Sequence, residues 1–153
     1  MKLSTREDIE APLDTVYKTV TDFDGFERRL LRRGVDVARD ERFPIDSPGA
    51  RWTAHFEWRG RLQNLEAELV TIVPGQGYAI EGKVSGVICM SVVDLVPLSK
   101  SRTRMFVSID LRPTTLSSRL FVHSLKLAKG TISRRFKARV SQFATEIKDD
   151  PGA

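Results

Sequence analysis

Few side chains in this sequence are of types that carry chemistry on their own. His55 and His123 are the only histidines, and Cys89 is the only cysteine. A zinc site typically takes three or four ligands of these types, so no metal centre is expected. The chain has no G-x-G-x-x-G after a strand and no G-x-x-x-x-G-K-[ST], so no cofactor is indicated. His55 shares a strand face with Glu57, and His123 falls on a flank of the last helix; both read as ordinary polar residues. Glu66 and Glu68 lie two apart on one strand face. Paired carboxylates can divide acid and base roles when burial separates their pKa values. Here Arg51, Arg59, Arg61 and Arg104 offer cross-strand ion pairs instead. Asp94 interrupts the apolar run VICMSVVDLV. Projecting into a cavity, it would orient a polar ligand group; at a strand end near Pro97, it would meet water.

Arg135 and Arg139 are sharper candidates. At 100° per residue, both fall on the side of the last helix that carries its apolar stripe. A guanidinium there must be paired, must reach past the sheet edge to water, or must face a ligand's oxygen atoms. Trp52, Phe56, Trp58, Tyr78 and Phe121 are either core filling or the lining of a pocket.

The elements that position these residues follow from periodicity. Lys2 to Glu10 alternates as a strand with one wet face. Pro12 opens a helix carrying Leu13, Val16, Val20 and Phe23 at helical spacing. Asp24-Gly25 interrupts that pattern, and a second short helix with Phe26 and Leu30 follows, ended by Gly34. Strands are expected over 35–42, 51–59, 61–73, 77–84, 87–96 and 102–112, with Pro97 to Ser101 as a turn. In the third strand Trp52, Ala54, Phe56 and Trp58 share one face; in the fourth, Leu65, Ala67 and Leu69 do. Seven strands with tight turns imply an antiparallel sheet. The segment Ser117 to Lys148 reads as one long helix, capped by Thr114, Thr115 or Ser117. Phe121, Leu125, Ala128, Ile132, Phe136 and Phe143 form its stripe, with Lys126, Lys137 and Lys148 opposite. Gly130, on the lysine side, marks a bend.

The 153 residues favour one domain, over 1–150. Net charge is +5, and Ser117 to Lys148 carries eight Lys/Arg against one Glu, so the basic character is local. A second cluster is Arg28, Arg29, Arg32 and Arg33. Such surface suits solubility, an anionic membrane or an acidic partner. Nucleic acid is not favoured, because the basic residues are not interleaved with exposed aromatics. One cysteine excludes an internal disulfide and fits a reducing compartment. MKLSTRED lacks the apolar core of a secretory signal, and no apolar run approaches the ~18 residues of a membrane span. The expected location is the cytoplasm.

The order of strand, two short helices, six strands and a long helix resembles the helix-grip fold of the START-like superfamily, also called SRPBCC. That superfamily includes polyketide cyclase/dehydrase-like and lipid-transfer proteins. The most specific piece is IEAPLDTVYKTVTDFDGFERRL, residues 9 to 30. The hairpin from Val92 to Leu111, with its SRTR turn exit, and the basic terminal helix are also similar. One departure is Phe26-Glu27-Arg28-Arg29, where many relatives carry an aromatic-Pro step. The resemblance implies an α+β fold in which a curved seven-stranded antiparallel sheet wraps a long carboxyl-terminal helix. It also implies an apolar or amphipathic guest between them: a lipid, quinone, isoprenoid or polyketide-like molecule. The expected contacts are Phe26 and Leu30 at the mouth, and Trp52, Phe56, Tyr78, Ile80, Met90, Asp94 and Met105 from the sheet. Phe121, Leu125, Arg135 and Arg139 are expected from the helix. The alternatives are a cyclase/dehydratase using Asp94, Tyr78 or Arg139, and a membrane or protein interaction module using the basic helix.

Overall fold

In a computed structural model, residues 1–148 are described; the last two positions of the expected 1–150 domain lie outside the described residues. The chain runs β1 (Lys2–Ile9), α1 (Leu13–Val20), α2 (Phe23–Arg32), β2 (Asp36–Arg39), β3 (Arg51–Trp58), β4 (Arg61–Val73), β5 (Gly77–Val84), β6 (Val87–Ser99), β7 (Arg102–Pro113), α3 (Leu116–Leu127) and α4 (Lys129–Lys148). All seven strands form one antiparallel sheet in the order β1-β7-β6-β5-β4-β3-β2.

One face of the sheet, the inner face, carries the helices. At its β1 end, Ile9, Leu95 and Met105 pack with Val16 and Val20 of α1 and with Ala144 and Ile147 of α4. At the other end, Phe23 of α2 packs with Ala50 and Leu69, and Trp52, Tyr78 and Ile80 surround them. The alternation of β4 is broken by a register shift between Leu69 and Thr71, which returns Ile72 to this second cluster. Thr103 is fully buried, and its hydroxyl donates to the Ala11 carbonyl at 2.9 Å, closing the loop between β1 and α1. Asp8 on β1 accepts from Arg104 on β7 at 2.7 Å. That hydrogen bond, opposed by some desolvation, holds its carboxyl below the usual range.

Several boundaries differ from the sequence-based expectation; the second strand, expected over 35–42, spans only Asp36–Arg39. Helix α2 begins at Phe23, before Asp24-Gly25, because Asp22 caps it by accepting the Gly25 N–H at 3.1 Å. Strand β6 runs on through Pro97 to Ser99, with a register shift against β7 that accommodates the missing proline N–H. The terminal helix is interrupted. Ala128 leaves helical geometry (φ −103°, ψ 17°) and caps α3, so the break falls two residues before Gly130, which lies in the first turn of α4. At the start of α3, Thr115 and Ser118 form a reciprocal capping box. Gly34 takes φ +84° after α2, as a terminating glycine should. Among the described residues, no helix is long and apolar enough to cross a membrane.

Candidate functional site

Helix α2 presents Phe23, Phe26, Glu27 and Leu30 to the sheet, a spacing that places all four on one side of a helix. Beneath them the inner face carries small side chains, Ala54 on β3 and Ala67 on β4, between the larger Trp52, Leu65, Tyr78 and Ile80. Large residues hold α2 away and small ones fail to fill the space. The result is a hollow of about 240 Å³ with an almost wholly apolar wall.

Polar contacts fix the lid. The Trp52 indole N–H donates to Glu27 Oε1 at 2.7 Å, and Arg39 on β2 donates to Asp24 at 3.0 Å. The Phe23 ring meets Trp52 at 5.6 Å and Tyr78 edge-on at 5.2 Å. Tyr78 donates its hydroxyl to the Val20 carbonyl at 2.8 Å, satisfying a terminal carbonyl of α1. Burial pushes the Tyr78 phenol well above its ordinary value, so it stays protonated and acts as a donor, not a base.

A second hollow, about 290 Å³, lies between the inner face and α4. Val93, Met105 and Val107 line it from the sheet, and Phe136, Val140 and Phe143 from the helix. Phe26 and Tyr78 line both hollows. Outside them a third space of about 520 Å³ is walled by Arg29 and Arg32 of α2, by Arg33 that caps it, and by Arg139, Gln142 and Glu146 of α4. Phe26 borders this space too, and its ring lies 5.8 Å from that of Phe143. Phe26 is therefore where two apolar chambers and a polar mouth meet.

Solved structures with this fold are found. The Thermus thermophilus protein TTHA0849 superposes with a TM-score of 0.66 at 13% identity, over 100% of both chains. A point mutant of Thalictrum flavum norcoclaurine synthase, in complex with a transition state analogue, gives 0.64 at 13% identity over 97% of this chain and 96% of that one. The Zhui aromatase/cyclase of Streptomyces sp. R1128 gives 0.59 at 13% identity over 75% and 69%. The fold is the START-like helix-grip. No family model and no curated protein matches the chain.

Within this helix-grip, the structure brings together Phe26, Leu30, Trp52, Tyr78 and Ile80 around the first hollow. It brings Met105 and Arg139 to the second. Other expected contacts lie elsewhere. Asp94 is exposed on the outer face with Val92, because the β5–β6 register sets Tyr78 beside Val93 and Ile80 beside Ser91. Met90 pairs with Glu81 on that same outer face, so it also points away from the helices. Phe121 packs edge-on against Trp58 at 5.4 Å, outside both hollows. Leu125 is half-buried without lining either, and Arg135 is exposed. Phe56 follows Ala54 on the same face of β3 but lies beyond the first hollow. Glu68 pairs with Arg51 at 3.2 Å on the outer side, and His55 bonds Asn64 at 2.6 Å in solvent. Among the described residues, no three His, Cys, Asp or Glu side chains cluster to hold a metal ion.

Glu27 is the lining residue that the sequence reading passes over. Its signal was present: it completes the Phe23, Phe26, Leu30 stripe, and a carboxylate on an apolar stripe needs a partner. Val37, Leu65 and Ala67 likewise follow from strand alternation once the helix-bearing face is known.

Proposed function

We propose that this chain binds an apolar or amphipathic small molecule in the paired hollows between the sheet, α2 and α4. The observation that carries the reading is the pair of adjoining apolar spaces, about 240 and 290 Å³, that share Phe26 and Tyr78. Protein interiors pack with few voids larger than a water molecule. Both spaces are clefts open to solvent, and each is roomier than the ~150 Å³ that holds a benzene-sized guest. Occupation would be driven by apolar burial at about 25 cal/mol per Å². Lipids, quinones, isoprenoids and polyketide-like molecules are the classes in view, and the single cysteine supports a cytoplasmic setting.

The same space serves an enzyme as a template. Two of the similar structures are named as a synthase and an aromatase/cyclase. In this chain the first hollow offers one carboxylate, Glu27, already engaged by Trp52, and a protonated Tyr78. That set orients a ligand better than it transfers protons, so binding is the primary reading. Protein purified from its own host is expected to carry a retained apolar molecule in native mass spectrometry and, once stripped, to bind N-phenylnaphthylamine, an uncharged dye, saturably. A bare mass together with no saturable dye binding overturns the reading.

A second reading, docking on an anionic bilayer, is favoured by α3. Leu116, Leu120 and Leu127 are 76%, 65% and 81% exposed. At 100° per residue they fall within about 40° of one another, opposite the buried Ser118 and Val122. Arg119 and Lys126 flank this ridge, and neither α3 nor the first turn of α4 contains an acidic residue. An apolar ridge edged with cations fits the interface of a negatively charged membrane. Sedimentation with phosphatidylserine-containing vesicles is expected at low salt, to be lost with pure phosphatidylcholine and in Leu120→Asp/Leu127→Asp. Equal behaviour of that variant, or a dimer of this chain seated on the same leucines, removes the membrane reading.

A further inference from the structure

The mouth of the hollows carries a charge pattern that an uncharged guest would leave unused. Arg29 and Arg32 from α2, with Arg33 at its C-cap, face Arg139 from α4 across one concave space, and Glu146 is the single carboxylate in its wall. Among the described residues, no carboxylate lies within 4.0 Å of any of the four guanidinium groups. On the sheet the arrangement is different: Arg39, Arg51, Arg102 and Arg104 each hold a carboxylate at 3.2 Å or closer.

Two of the four cations stand where the apolar chambers open. The Arg29 guanidinium lies over the rings of Phe26 and Phe143, at 5.7 and 5.8 Å from their centroids. Arg139 borders both the chamber beneath α4 and the outer space. A molecule lying past Phe26 with its body inside would place its outer end between Arg29 and Arg139. Like charges gathered in a concave wall focus a positive potential at that point. Guanidinium groups are also shaped to grip the paired oxygens of an oxyanion.

We propose that the guest is an amphipathic anion, its apolar body in the hollows and its carboxylate or phosphate head held by the arginine mouth. This rests on the apolar-guest reading and narrows it. Charge-assisted hydrogen bonds contribute about 1.5–3 kcal/mol each, so one such bond strengthens binding by roughly ten- to hundredfold.

The test is displacement of N-phenylnaphthylamine by four twelve-carbon probes: dodecanol, laurate, dodecyl phosphate and dodecylammonium, each below its micelle concentration. At low salt, laurate or dodecyl phosphate should bind at least tenfold more tightly than dodecanol. Which of the two leads tells a carboxylate head from a phosphate head. The ratio of anionic-probe to dodecanol affinity should shrink with added salt and fall to about one in Arg29→Gln/Arg139→Gln. Arg134→Gln, on the exposed side of α4, should keep it. Equal affinity for all four probes, or a preference for dodecylammonium, overturns the anionic head and leaves the apolar guest standing. Failure of dodecanol and of the dye itself overturns the apolar guest, and the anionic head with it.

Discussion

Ala67→Phe should abolish guest binding while leaving the protein folded. Ala67 lies on the inner face of β4, between Trp52 and Gly82 on the neighbouring strands, and borders the first hollow. A phenyl group built there points into space that the wild-type chain leaves empty. It would deny a guest roughly 100 Å² of apolar contact, worth about 2.5 kcal/mol, or nearly a hundredfold in affinity. The new ring is itself buried among apolar neighbours, so thermal stability should hold or rise slightly. Overpacking, if the ring does not fit, costs about 1–3 kcal/mol and would appear as a lowered Tm. Dye titration and a melting curve on the same sample separate the two. A variant that melts like wild type and binds the dye equally well places the guest somewhere other than this hollow.

Gly77→Ala should be among the most damaging single substitutions in the chain. Gly77 has φ +153° at the start of β5, and a methyl group there would run into the backbone carbonyl of Val93 on β6. Neither obstacle can move cheaply. The Gln76 carbonyl one residue earlier accepts the Leu95 N–H at 2.7 Å, and Tyr78 one residue later holds the end of α1. Backbone strain of about 1–3 kcal/mol adds to a similar overpacking cost, for about 2–6 kcal/mol in all. In a domain of this size that lowers Tm by roughly 4–24 °C. Gly75→Ala is the matched comparison. Gly75 also has positive φ, +75°, but nothing within 4 Å of the added methyl. It should cost only about 1–2 kcal/mol. Equal losses at both positions would show that the Val93 carbonyl plays no part.

The sheet was legible because its strands alternate and its turns carry glycine and proline. Trp52 and Ala54 on β3, and Leu65, Ala67 and Leu69 on β4, announce one face each, and the structure puts those faces together. Strand β6 was not legible in the same way. VICMSVVDLV is apolar at both parities, so the sequence offers no phase, and Met90 and Asp94 were assigned to the wrong side. Pairing with β5 sets the phase, and that information is not local. The helix failed for a different reason. A stripe drawn at 100° per residue through Ala128 assumes an unbroken rod. After the break, the buried row of α4 runs through Val140, Ala144 and Ile147. Arg139 then stands about 105° from the centre of that row and Arg135 about 145°, so one reaches the hollow and the other meets water. The mouth of the cavity joins α2 to the far end of α4, residues more than a hundred positions apart. No spacing rule relates them.

The interruption at Ala128 also gives the terminal pair a joint. The end of α4 is seated firmly, with Ala144 and Ile147 buried against α1 and the β1 end of the sheet. α3 is anchored mainly through Ser118 and Val122. The arm that walls the second hollow, through Phe136, Val140 and Phe143, is the docked one, while the arm carrying the exposed leucines lines neither hollow. The joint therefore lets one terminal segment serve two surfaces, one turned to the interior and one to solvent.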